Sequence, residues 1–239
     1  MDYTIITPTG DRQQAFDICY KYVKRQTIQP KQWIIIDDGE KPTDVKGEPF
    51  YVRRNRQASD PQHTLPVQMQ QALLMVQTEY VIIIEDDDWY APDYCEKVLE
   101  LFNRGKKISL VGQADTIYYN VKTRRYFIHD NTLHTAWCQT AFKTAIIPSI
   151  LQICHQCIRS KFTYVDLRCW RNLRCNKYIL KDQPPMNIGM KAMPGRGGSV
   201  SGHYNSHDKR FIDDKDMTQL KSWMAEDYKN YEEFYKCRM

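Results

Sequence analysis

Short apolar runs and helical periods alternate along the first hundred residues. Apart from Gln32, residues 3–7, 32–36 and 80–84 hold only β-branched and aromatic side chains, the pattern of strands buried on both faces. Between and after them, residues 13–25 place apolar groups at 15, 16, 18, 19, 22 and 23, a helical period. Residues 63–78, with Val67, Ala72, Leu73 and Val76, predict a second helix, and 92–103, with Tyr94, Val98, Leu99 and Phe102, a third. Residues 50–54 predict one more strand. Strands and helices in this order argue an α/β chain with a Rossmann-like, mostly parallel central sheet and flanking helices. Such sheets gather ligands at the carboxyl ends of their strands. Three predicted strands end there in polar groups, at 7–12, 37–40 and 85–88.

The pattern changes after about residue 108. Residues 108–111, 115–120 and 125–129 read as strands of a smaller, more antiparallel region. Helices are expected over 145–158 and from 165, then a Gly-rich loop over 192–203. Leu220, Trp223, Met224, Tyr228 and Tyr231 fall at helical spacing in the tail, which reads as a packing helix. With no repeat and no low-complexity linker, one domain over 1–239 is expected, divided functionally into 1–107 and 108–239.

Composition adds limits. The 239 residues, 42% hydrophobic and 12% aromatic, suffice for one packed core. No apolar run reaches the roughly 18–20 residues that span a bilayer. The start MDYTIITPTGD lacks the basic and apolar regions of a secretory signal, so a cytoplasmic location is expected. The eight cysteines are then expected reduced; Cys154 and Cys157 with Cys169 and Cys175 have the wrong spacing for a zinc knuckle and read as buried thiols. The net charge of +5 is segregated: residues 122–181 hold eleven Lys or Arg against two Asp, a net of +9. Such a block either faces an anionic partner or is a solvated surface.

The chemistry concentrates at Glu85-Asp86-Asp87-Asp88. Four carboxylates at the end of a buried strand repel one another and call for a counter-charge. A hard divalent cation, its shell completed by a substrate phosphate, supplies one. A wet acidic loop is the other reading; the strand in front and Trp89-Tyr90-Ala91-Pro92 behind fit a packed strand end better. Asp37-Asp38-Gly39 has the residues of a tight turn. The loop 194–199 can offer backbone N–H groups and the Arg196 guanidinium to a phosphate, or be a plain turn. Trp137 is either a platform for a ring or part of the core.

Four segments in order, TIITPTGDRQQAF, WIIIDDGE, VIIIEDDDWYAPDY and FTYVDLRCW, resemble the family 2 glycosyltransferases of GT-A fold. The first three cover most of residues 3–105; the fourth is a looser match, and 108–239 is similar by position. The resemblance implies a metal-dependent, inverting transfer of a sugar from a UDP-sugar, UDP-glucose by default, to an acceptor hydroxyl. It implies that Thr7, Pro8, Thr9 and Arg12 line the nucleotide and that Asp37 and Asp38 approach its base and ribose. Glu85 and Asp87 take the two acidic places of the family's D-x-D pattern, with Asp86 and Asp88 available to share the work; the Glu is a departure. The implied ion is Mn²⁺ or Mg²⁺, with His203 or His207 completing its shell and Arg196 near the diphosphate. Asp166 stands where the family carries its catalytic base, although the usual Glu-Asp pair is Val165-Asp166 here.

The basic block suits a polyanionic acceptor, such as the hydroxymethylated DNA bases modified by some phage enzymes. It suits equally a lipopolysaccharide or capsule acceptor at an anionic membrane surface. A nucleotidyltransferase, or a nucleic-acid-binding protein without catalysis, are the more distant readings. The first lacks a rich phosphate-gripping loop after the first strand, and the second leaves the four carboxylates unexplained.

Overall fold

A computed structural model of the chain describes residues 1–162, 164–181, 183–195 and 209–236. In order the elements are β1 (Tyr3–Thr9), α1 (Gln13–Lys24), β2 (Gln32–Asp37), β3 (Phe50–Arg53), α2 (Leu65–Leu73), β4 (Tyr80–Ile83), β5 (Trp89–Tyr90) and α3 (Tyr94–Glu100). There follow β6 (Ile108–Gln113), β7 (Thr116–Asn120), β8 (Arg125–His129), β9 (Thr140–Lys143), α4 (Ile147–Ser160) and α5 (Val165–Asn172). Last come β10 (Asn176–Leu180), β11 (Asn187–Lys191), β12 (Ile212–Asp213), α6 (Thr218–Met224) and α7 (Glu232–Lys236).

Seven strands form the central sheet in the order β10-β6-β9-β4-β1-β2-β3. All neighbours are parallel except at β9, which runs against β4 on one side and β6 on the other. The period of two along each strand divides the core. Ile5, Trp33, Ile35, Ile82 and Ile84 face Phe16, Cys19 and Val23 of α1 and Val98 and Leu99 of α3. Ile6, Ile34, Ile36, Val81 and Ile83 face Met69 of α2, Ile150 and Cys154 of α4, and Cys169 and Trp170 of α5. Apolar groups on both faces produce the unbroken runs seen in the sequence, and β4 is buried along its whole length.

The second sheet, β12-β8-β7-β11-β5, stands beside the first. Its core joins Ile117, Tyr119, Ile188 and Met190 to Ala15, Ile18 and Tyr22 on the other side of α1 and to Leu220, Met224, Tyr231 and Phe234 of the tail. The tail is α6, a 3-10 stretch and α7 rather than one helix. Asp227 there accepts both Arg25 guanidinium nitrogens at 2.6 Å and the Trp89 indole N–H at 2.7 Å, fixing the tail behind the acidic run.

Three departures from the sequence pattern have physical causes. Residues 108–113 belong to the central sheet, because reversed β9 admits β6 beside it. The second helix stops at Leu73: Gln32 donates to Met75 O at 3.0 Å and accepts Gln77 N–H at 3.1 Å, drawing the following residues onto the start of β2. Strands β9, β10 and β11 carry mixed polar and apolar residues and have no run long enough to announce them. Among the described residues all seven cysteines are free thiols, six of them buried, as the sequence predicts.

Candidate active site

The first loop is built to reach the acidic run. After β1 the chain turns through Asp11 at φ 54°, and Arg12 opens α1. The Arg12 guanidinium then spans two carboxylates: it pairs with Asp86 Oδ1 and lies 2.7 Å from Asp87 Oδ2. Thr9 Oγ1 donates to the other oxygen of Asp86 at 2.7 Å. Thr7 sits one layer deeper, its hydroxyl accepting the Trp33 indole N–H at 2.9 Å. Gln68 of α2 ties the loops together by donating to Thr9 O at 2.8 Å and Ile36 O at 3.1 Å.

The second strand end is a built turn. Asp37 accepts Gly39 N–H at 2.9 Å, Thr43 N–H at 2.8 Å and the Tyr51 hydroxyl at 2.7 Å, with Arg53 at 2.9 Å. Burial works to raise this carboxyl, but those donors hold it below its ordinary value. Asp38 is buried beside Arg54 at 3.3 Å, and Arg54 in turn pairs with Asp60 at 2.6 Å. Arg54 is thus a buried partner of Asp38 rather than a surface cation. Asp11 accepts Glu40 N–H at 2.9 Å and Lys41 N–H at 3.1 Å, joining the first two strand ends.

Two glycines make the close approach possible. A Cβ on Gly39 would lie 2.4 Å from Asp11 N. Gly195 has φ +103°, and a Cβ there would lie 2.3 Å from Asp11 O and 2.8 Å from Arg12 Cγ. The start of the Gly-rich loop therefore rests on the first loop. Arg196, His203 and His207 lie outside the described residues.

The fourth wall comes from the second half. Asp88 accepts Met190 N–H at 2.9 Å, with Lys191 Nζ 3.7 Å away. Lys191 also lies over the Tyr118 ring at 5.3 Å. Cys138, in the turn before β9, brings its thiol to the same place: ligand atoms of Glu85, Asp88 and Cys138 lie within 4.8 Å of one another. Trp137 is core, 3% exposed and stacked on Phe142 at 6.1 Å, so it is no platform for a sugar. Its backbone N–H instead serves the Asp166 carboxylate, which also accepts Leu167 N–H at 2.8 Å. Asp166 lies in the first turn of α5, so its carboxylate serves a free N–H of that turn as well as reaching out to Trp137. Through Trp137 and Cys138 it is joined to the acidic cluster.

Electrostatics follows from burial. Fully ionised, the four carboxylates carry two more charges than Arg12 and Lys191 neutralise. Desolvation, with the neighbouring acids, pushes Asp86 up to about 6, Asp88 up to about 7 and Glu85 well above its ordinary value. Burial works on Asp87 too, but Arg12 and Lys191 hold it low. Burial lifts Asp166 to about 6. A cluster that retains protons in this way has room for an added positive charge.

The structure thus brings together Thr9, Arg12, Glu85, Asp86, Asp87 and Asp88, with Thr7 and Pro8 in the supporting strand. It places Asp37 and Asp38 in the adjoining turn, both already engaged by neighbours. Lys191, Cys138 and Gln68 escaped the sequence reading. Each is a single residue that its neighbours in sequence do not mark, and only the folded topology carries it to the strand ends.

The fold is shared with crystal structures of S. aureus TarS. TarS 1–349 in complex with UDP superposes with a TM-score of 0.55 at 10% identity, over 80% of this chain and 60% of that one. The complex of the same fragment with UDP-GlcNAc gives 0.50 at 10% identity, over 80% and 59%. A further TarS structure gives 0.54 at 9% identity, over 80% of this chain. The chain spans 37–60% of the length of these TarS chains. No curated protein matches the sequence significantly. The model of the family described as "Glycosyl transferase family 2" matches residues 4–166, from the first strand through Asp166 and well over half of the chain. The chain belongs to glycosyl transferase family 2.

Proposed function

We propose that this protein transfers a sugar from a UDP-sugar to an acceptor hydroxyl with inversion, in a divalent-metal-dependent reaction. The observation that carries the reading is the meeting of Arg12, from the loop after β1, and Lys191, from β11, on the acidic run at the end of β4, with the run and Arg12 inside the span matched by the family. The TarS complexes with UDP and UDP-GlcNAc, on the same fold, support a uridine nucleotide as the donor's carrier.

Metal donors are present. Asp88 Oδ2 is buried with no nitrogen or oxygen donor among the described residues, and carboxylate oxygens suit Mn²⁺ or Mg²⁺. Glu85 and Asp88 are the residues that would hold the ion. When bound, such an ion neutralises the charge that develops on a departing diphosphate. Arg12 and Lys191 add fixed positive charge beside that place. Asp166 takes the proton of the acceptor hydroxyl as its oxygen attacks the anomeric carbon and the UDP leaves. One base and one displacement leave the anomeric centre inverted.

For the acceptor, Arg159, Lys161, Arg171 and Arg174 are exposed on α4, on α5 and in the turns that follow them, near Asp166. This face supports a polyanionic acceptor, for which duplex DNA bearing hydroxymethylated bases is the reading put forward. Retention of such DNA on filters should fall steeply with added salt; salt-insensitive retention removes the DNA arm alone. The donor arm is tested by calorimetry of UDP binding with and without Mn²⁺. Binding is expected to need the ion and to be lost in Asp88→Asn, which keeps an acceptor for Met190 N–H. Equal binding with and without the ion would overturn metal dependence.

A further inference from the structure

Arg12 engages Asp86 and Asp87, so the carboxylates nearest an added cation are Glu85 and Asp88, which share the place with Lys191, its Nζ 3.7 Å from Asp88 Oδ1. The third donor facing them is a thiol. Ligand atoms of Glu85, Asp88 and Cys138 lie within 4.8 Å of one another, and bonds of about 2.0–2.3 Å to a shared ion need only small side-chain shifts to close that spread. Two further observations bear on a ligand there. Asp88 is fully buried, and while its Oδ1 serves Met190 N–H, its Oδ2 has no nitrogen or oxygen donor among the described residues, the Cys138 thiol being the group that faces this carboxylate. The Cys138 thiol donates to Asn187 Oδ1 at 3.6 Å, a bond given up when the thiolate forms, and Asn187 is anchored through Nδ2 to Trp89 O at 3.1 Å. The three donors therefore stand together between the end of β4 and the turn before β9, two of them buried and Glu85 partly so.

We propose that the cation of this site is bound through sulfur as well as oxygen, with Cys138 as a thiolate ligand beside Glu85 and Asp88. As the metal–sulfur bond forms, the thiol proton passes to solvent. A thiolate suits softer ions and is a poor partner for Mg²⁺, which takes oxygen ligands and keeps its waters. The site therefore discriminates for Co²⁺ or Zn²⁺ over the oxygen-seeking ions Mg²⁺ and Mn²⁺. This rests on reading the strand end as a cation site and not on sugar transfer.

Cobalt tests it without nucleotide or sugar. Co²⁺ is titrated into the wild-type protein and Cys138→Ser, with near-ultraviolet absorbance read for thiolate-to-cobalt charge transfer and calorimetry run for Co²⁺ and Mg²⁺. The wild type should give a thiolate band that saturates at one equivalent, and bind Co²⁺ more tightly than Mg²⁺. Cys138→Ser should lose the band and bind Co²⁺ roughly tenfold or more weakly. If Cys138→Ser does not fold, Asp88→Asn must weaken the same band. Cobalt bound without a thiolate band, a band that persists in Cys138→Ser, or no cation binding at all would each overturn the proposal. Failure to release UDP from any donor would leave this result untouched and count only against the transfer reaction.

Discussion

At the scale of residues, the site divides into groups that hold its shape and groups free to do chemistry. Asp37 belongs to the first kind, with Gly39, Thr43, Tyr51 and Arg53 consuming its oxygens. Asp166 belongs to the second. It is half-buried, lifted to about 6, and among the described residues its partners are backbone N–H groups. A base must be deprotonated to act, so kcat/KM should rise with pH through about 6 and level off above it. Asp166→Asn should lower kcat by about 10²–10⁴ while leaving the KM for donor nearly unchanged, as expected for a lost proton acceptor. An unchanged kcat in Asp166→Asn, or a profile with no acidic limb near 6, would remove Asp166 from this role. The sequence made the acidic run and Asp166 legible because runs of like charge and family segments are local features. Lys191, Cys138 and the Arg12 clamp were not legible, since each acquires meaning only from a partner far along the chain. Arg12 reaches across to Asp86 and Asp87, and Lys191 across to Asp88.

At the scale of elements, legibility followed burial. Strands β1, β2 and β4 are buried on both faces, so apart from Gln32 and Asp37 at the ends of β2 their positions are apolar, aromatic or β-branched, and the sequence states them outright. Strand β9 sits in the centre of the same sheet, yet Thr-Ala-Phe-Lys has too short an apolar run to be recognised. Its reversal nevertheless inserts the turn carrying Trp137 and Cys138 beside the acidic run. Phe142 anchors it, fully buried, paired in register between Val81 of β4 and Leu110 of β6 and stacked on Trp137. Phe142→Ala should therefore cost about 3–5 kcal/mol of stability, read as a lowered urea midpoint. A loss under about 1 kcal/mol would mean that β9 is not the rigid wall described here.

At the scale of the whole molecule, two sheets and the tail meet around one carboxylate-rich strand end. The central sheet supplies three strand ends, the second sheet supplies Met190 and Lys191, and the tail braces Trp89 and Arg25 from behind through Asp227. A division into a nucleotide half and an acceptor half remains our proposal; within it Asp88 and Lys191, one from each half, meet at the same place. Among the described residues no helix is long and apolar enough to cross a membrane. The most direct measurement is of turnover. Purified protein with Mn²⁺ is offered a panel of UDP- and GDP-sugars and scored for free nucleoside diphosphate. Release from a UDP-sugar, abolished by chelator and by Asp88→Asn, is the predicted result. Release that survives chelator, or occurs only from GDP-sugars, would contradict the account, as would silence across the panel together with absent metal-dependent UDP binding.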